Sequence, residues 1–187
     1  MRVIGGRARG TRLASLGDGD AKAHLRPTSD RVRENLFNVL EGGRFGRILP
    51  EARVLDLFAG TGALGIEALS RGASHTTFVE NGRKSLQILS ENLAKTQFEA
   101  QAEVLKTDAT KGLPTKAGPF DLVFLDPPYG KNLGTAALSA AMPVLADAAL
   151  IVWEEATQMT APPGTDLLEH RRYGSTEITL LRKAYSV

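Results

Sequence analysis

Arg53-Val54-Leu55-Asp56-Leu57-Phe58-Ala59-Gly60-Thr61-Gly62-Ala63-Leu64-Gly65 reads as a strand, a glycine turn and the opening of a helix. The run 53–58 is apolar apart from Arg53 and Asp56. Gly60 and Gly62 supply backbone dihedrals that a Cβ would forbid, and helical spacing follows to about residue 71. A short apolar strand that feeds straight into a helix is how a parallel sheet with crossover helices begins. The same alternation continues, with strands expected near 53–58, 76–80, 102–106, 121–125 and 149–154, and helices near 63–71, 83–96 and 133–146. The last part differs, because 167–173 and 176–182 are separated only by Gly174-Ser175, a connection that favours an antiparallel hairpin. The expected fold is α/β and Rossmann-like: a mostly parallel seven-stranded sheet with an antiparallel C-terminal hairpin.

A chain of 187 residues suits one domain of ordinary size with a short appended element. We expect a basic arm and helix over 1–41 and the α/β domain over 42–187. Hydrophobic residues make up 42% and charged residues 24%, as in a soluble globular protein, and no apolar run approaches the roughly 18 residues of a membrane span. Met1-Arg2-Val3-Ile4-Gly5-Gly6-Arg7 does not have the apolar stretch of a secretory signal, so a cytoplasmic location is expected. Zero cysteines exclude disulfides, thiolate nucleophiles and thiolate zinc sites.

Charge is unevenly placed. Residues 1–33 hold Arg2, Arg7, Arg9, Arg12, Lys22, Arg26, Arg31 and Arg33 against Asp18, Asp20 and Asp30, a balance of +5. A total of +2 leaves −3 on the remainder. A basic arm on a mildly acidic body fits a polyanion, because each Lys or Arg set on a phosphate releases counterions. An ordinary solvated arm is the plain alternative. Residues 2–14 read as a loose hairpin or extended arm, and 15–25 as a flexible loop. Thr28, Ser29 and Asp30 are all good caps for a helix carrying Val32, Leu36, Val39 and Leu40, ended by Gly42-Gly43 and expected to display Arg31 and Arg33.

In an open α/β sheet the ligand lies beyond the carboxyl ends of the strands, so strand-closing residues deserve inspection. The first strand carries Asp56 and runs into the glycine turn, whose backbone can approach a ligand closely while the next helix presents free N–H groups. Gly65 completes a G-x-G-x-x-G spacing, so spacing alone does not exclude NAD. Glu80 closes the second strand, where a carboxylate can accept both hydroxyls of a ribose. Asp108-Ala109 follows the third strand and suits an adenine amino group and ring, or equally a helix cap.

The fourth strand, with Leu122-Val123-Phe124-Leu125, ends in Asp126-Pro127-Pro128-Tyr129. Each proline fixes φ and removes a donor, which makes this corner a stiff array of acceptors. An exocyclic amine on a base is a poor nucleophile, since its lone pair is delocalised into the ring. The Asp126 carboxylate and Pro127 carbonyl can take its two hydrogens and aim the nitrogen, while Tyr129 stacks on the plane. Such chemistry is positioning and electrostatics, with no covalent enzyme intermediate. A plain tight turn is the alternative.

The segment from Asp56 to Ala73 resembles motif I of the bacterial small-subunit (16S) ribosomal RNA guanine-N2 methyltransferases, and Asp126 to Tyr129 resembles their motif IV. Val3-Ile4-Gly5-Gly6 with Arg9-Gly10, and the stretch from Arg26 to Phe37, are similar to that family's amino-terminal signature. The resemblance implies a class I S-adenosylmethionine-dependent methyltransferase, with Asp56, Phe58, Ala59, Gly60, Thr61, Gly62, Ala63 and Leu64 around the methionine portion. It also implies Glu80 at the ribose, with Asn81 beside it at the cofactor where the family pattern would have an acidic residue nearby, Asp108 and Ala109 at the adenine, and Asp126, Pro127, Pro128 and Tyr129 holding the guanine. Arg7, Arg9, Arg26, Thr28 and Arg31 would then contact small-subunit ribosomal RNA or an assembling 30S particle, the enzyme acting as a monomer.

Other readings stay open. The same acceptor turn serves a DNA amino group or a protein glutamine amide, and an RNA-binding module could keep a vestigial nucleotide pocket without turnover. NAD chemistry lacks a Tyr-x-x-x-Lys relay and explains neither proline. His24, His75 and His170 have no metal-ligand spacing, so no metal is expected. Glu154 and Glu155 close the fifth strand near the pocket without an assigned role.

Overall fold

The computed structural model describes residues 1–15, 30–129 and 132–185. Helix α1 (Asp30–Glu41) precedes β1 (Arg53–Leu57), α2 (Ala63–Ser70), β2 (His75–Val79), α3 (Arg83–Thr96), β3 (Ala102–Leu105), β4 (Phe120–Leu125) and α4 (Leu133–Ala141). The strands β5 (Leu145–Glu155), β6 (Thr165–Tyr173) and β7 (Thr176–Lys183) complete the chain. The sheet order is β3-β2-β1-β4-β5-β7-β6. The first five strands are parallel, and β7 inserts antiparallel between β5 and β6. The expected seven-stranded sheet and C-terminal hairpin are therefore present, with Gly174 at φ 65 in the two-residue turn.

Each central strand is buried on both faces, so it reads as a continuous apolar run. Val54, Leu122, Phe124 and Val152 face α1, α2 and α3. Leu55, Leu57, Val123, Leu125 and Trp153 face α4. Gly65 lets α2 lie directly on β2, because a Cβ there would sit 2.4 Å from Phe78 Cε1 and 2.7 Å from Thr76 Cγ2. The order reverses between β1 and β4, the position at which open α/β sheets bind their ligands.

Two expected boundaries shift. Helix α4 stops at Ala141, short of residue 146, because Pro143 turns the chain into a 3-10 helix over Met142–Val144. Strand β5 consequently starts at Leu145, with Ala148 at φ 59 where its pairing with β4 slips between Phe120 and Leu122.

The amino-terminal segment is a hairpin pinned to the body rather than a loose arm. Arg2 bridges Arg12, and Val3 and Leu13 are buried in the main core. The buried Glu67 carboxylate accepts the amides of Ile4 and Gly5 at 2.8 Å each. Ser70 accepts the amides of Arg7 and Ala8 through its carbonyl and hydroxyl. Gly6 needs its positive φ of 72, and a Cβ there would fall 1.8 Å from the Ser70 carbonyl oxygen. The expected 41/42 division coincides with the end of α1, yet both sides share one core in which Phe37 packs against Phe124 at 5.7 Å.

Arg33 corrects the reading of α1, for it is fully buried rather than displayed. Residues 33, 36, 37 and 40 form one helical stripe, and Arg33 takes its place on it beside Leu36, Phe37 and Leu40. Its guanidinium donates to the Arg2 carbonyl at 2.7 Å and to Asp30 at 2.6 Å.

Candidate active site

The tips of β1, β2 and β4 come together through short backbone bonds. The Ala59 amide donates to the Val79 carbonyl at 3.1 Å, and that of Asp126 to Leu57 at 3.5 Å. Phe58 at φ 61, Gly60 at φ 56 and Gly62 at φ 79 turn the chain left-handed three times within five residues. For Phe58 that conformation is strained, a feature that concentrates at functional sites. Gly62 precedes α2 without a side-chain cap. The Gly65 amide donates to Asp56 Oδ2 at 3.0 Å, while helix-start donors at Ala63 and Leu64 are left for a ligand.

Glu80 is bound into this turn. Its Oε2 accepts the Gly60 amide at 2.8 Å, and its Oε1 accepts those of Asn81 at 2.8 Å and Gly82 at 2.6 Å. A carboxylate has about four acceptor positions, so capacity for a hydroxyl remains. Asp108 does act as a cap, accepting the Thr110 amide at 2.9 Å and hydroxyl at 2.7 Å, which holds its carboxyl below the usual range. Ala109 beside it is buried. The glycine turn, Asp56 and Glu80 therefore form one cradle of backbone donors and carboxylates. Its chemistry fits a cationic adenosyl cofactor: hydroxyls and ammonium meet acceptors, and a close-approaching backbone leaves room.

Strand register gathers a set of carboxylates that sequence spacing does not disclose. Leu57 pairs with Leu125, and Leu125 with Trp153. Side chains alternate along a strand, so Asp56, Asp126 and Glu154 all stand on the α1–α2 face. Desolvation, then Glu154, Asp56 and Glu155, push the Asp126 carboxyl well above its ordinary range. Desolvation is also the main reason the buried Asp56 is pushed up to about 8, opposed by its bond from Gly65 and reinforced by Glu80. A bound cation would relieve both.

The proline corner ends in a second contact. Tyr129 donates its hydroxyl to Glu154 Oε1 at 3.0 Å and is also hydrogen-bonded to the Thr176 side chain. Desolvation and the charges of Glu154 and Asp126 hold the phenol above its ordinary range, so it stays protonated. Pro127 is buried, and no donor among the described residues reaches its carbonyl oxygen.

The amino-terminal candidates separate. Arg9 and Arg31, distant in sequence, line a cavity of about 500 Å³ together with Arg2, Asp30 and Glu34. Arg7 instead lies over the Phe98 ring, 4.4 Å from its centre, and donates to Gln101. Arg26 and Thr28 lie outside the described residues. Sequence reading set Glu154 near the pocket without a role and counted Arg2 only toward the basic arm, and it passed over Thr176.

The family model described as Conserved hypothetical protein 95 matches residues 1–182. This chain belongs to that family. YlbH of Bacillus subtilis (strain 168), provisionally named an rRNA methyltransferase, is 36% identical over 98% of this chain and 99% of its own length. The chain is also 44% identical to Ribosomal RNA small subunit methyltransferase D of Escherichia coli (strain K12), over 71% of this chain and 62% of that protein. Among solved structures, yhhF from Escherichia coli, provisionally called a methyltransferase, superposes with a TM-score of 0.81 at 36% identity, covering 100% of this chain and 99% of that one. The fold is that of the class I methyltransferases, and S-adenosylmethionine is the cofactor.

Proposed function

We propose that this protein transfers a methyl group from S-adenosylmethionine to the exocyclic N2 amine of a guanine in small-subunit ribosomal RNA, during ribosome assembly. The observation that carries this reading is the acceptor corner Asp126–Tyr129, set at the β4 tip one strand away from the glycine cradle. Relatives named as ribosomal RNA methyltransferases support the substrate class.

Asp56, the turn from Phe58 to Leu64, Glu80 with Asn81, and Asp108 with Ala109 would hold the cofactor. S-adenosylmethionine supplies the electrophilic methyl group. The Asp126 carboxylate and the Pro127 carbonyl accept the two amine hydrogens and so direct the nitrogen lone pair outward. Tyr129 supplies a flat surface for the base. When the nitrogen gains its fourth bond it sheds a proton, and Asp126, already high in proton affinity, is placed to receive it. Arg9 and Arg31, with Arg7, Arg26 and Thr28, would hold the RNA backbone.

The test is transfer of labelled methyl from the cofactor to assembly-stage small subunits and to their naked RNA, with mass spectrometry of ribosomal RNA from cells lacking the protein. One missing N2-methylguanine is the expected result. Cofactor binding with label passing instead to DNA or to a glutamine amide would overturn the substrate assignment.

A further inference from the structure

We propose that Glu154, with Thr176, is the positioning residue of this site: it clamps the Tyr129 hydroxyl from β5 and thereby fixes the plane on which the target base lies. This rests on the methyltransferase reading above and adds a residue to it.

Glu154 closes β5 and is only 3% exposed, so its place is set by the sheet rather than by solvent. Its Oε1 accepts the Tyr129 hydroxyl at 3.0 Å, and Thr176 reaches the same hydroxyl. Thr176 opens β7, where Ile178 pairs with Glu154, so alternation puts Thr176 and Glu154 on one face. Two strands thus grip the end of a ring whose other end hangs on a chain stiffened by Pro127 and Pro128. The hydroxyl oxygen lies on the χ2 axis, so holding it fixes χ1, and the preference of a phenolic O–H for its ring plane, with Glu154 and Thr176 as its partners, sets χ2. A base that stacks on a fixed ring meets Asp126 in a fixed orientation.

The same carboxylate acts on Asp126 by charge. The titratable groups facing Asp126 are Glu154, Asp56 and Glu155, with the Tyr129 phenol beside them. Among these charges that of Glu154 weighs most on Asp126. The hydrogen bond and the charge have different signatures, because glutamine keeps an acceptor for the phenol and loses the charge.

The experiment measures kcat and KM for RNA against pH, and cofactor affinity, in the full chain carrying Glu154→Ala, Glu154→Gln, Tyr129→Phe, Thr176→Val and Glu154→Ala with Tyr129→Phe. Glu154→Ala and Tyr129→Phe should each raise KM for RNA roughly tenfold, and the double variant should be no worse than either. Cofactor affinity should stay near wild type throughout. Glu154→Gln should restore KM while moving the acid limb of kcat to lower pH. Additive losses in the double variant, or failure of Gln to rescue KM, would overturn the proposal. If Glu154→Ala fails to fold, Glu154→Gln, Tyr129→Phe and Thr176→Val still decide it. Wild-type protein that methylates no RNA would instead overturn the underlying reading.

Discussion

The amide of Gly60 donates to Glu80 Oε2 at 2.8 Å, fastening the tip of β2 to the glycine turn that follows β1. One carboxylate therefore shapes the turn, and in the proposed function it also meets the cofactor. A Cβ at Gly60, which is buried at φ 56, strains the turn. Gly60→Val is expected to abolish cofactor binding in calorimetry.

In the proposed function Asp126 serves the reaction more than cofactor affinity. Asp126→Ala should lower kcat by about a hundredfold or more, the usual cost of removing a preorganised charge contact. Cofactor affinity should change by only a few fold. Equal losses in both would contradict the assignment.

The raised Asp56 carboxyl makes stability depend on pH with a definite sign. Its folded-state value of about 8 exceeds the ordinary 3.8, so the folded protein holds this proton more tightly than the unfolded chain does. Its contribution is fully present below about pH 4 and is lost as pH rises toward 8. The cofactor-free protein should therefore melt lower at pH 8 than at pH 5, by roughly 5 °C or more. Asp56→Asn should remove its own share of that slope in a calorimetric scan, leaving the share of the raised Asp126 carboxyl.

Arg2, Arg9 and Arg31 meet at one cavity although twenty-nine positions separate the first from the last. Replacing Arg9 and Arg31 with Ala should weaken RNA binding and reduce the slope of log affinity against log salt by about one to two. Cofactor binding should be unchanged. An unaltered salt slope in a filter-binding titration would remove these residues from the interface.

Much of this was legible along the chain because the controlling forces are local. The Gly60–Gly62 turn, the helix starting near Ala63 and the Gly174-Ser175 hairpin follow from backbone freedom and side-chain period. Arg33 was misread for a related reason: polarity placed it outside, while its three-residue spacing from Leu36 placed it on the buried stripe. Pro143 also cut α4 short where composition still looked helical. The expected loose hairpin or extended arm is a docked hairpin because the partner that holds Ile4 and Gly5, Glu67, lies 63 and 62 residues away on α2.

By itself the sequence determined the alternation of strands and helices, the two loops proposed to carry chemistry, and the excess of positive charge near the start, since each depends on neighbouring residues. Only the tertiary structure decided that β7 slips between β5 and β6, that Glu154 and Thr176 reach Tyr129, and that Arg2 joins Arg9 and Arg31. Those are consequences of strand order and register, which hydrogen bonding between distant segments sets and no local pattern encodes.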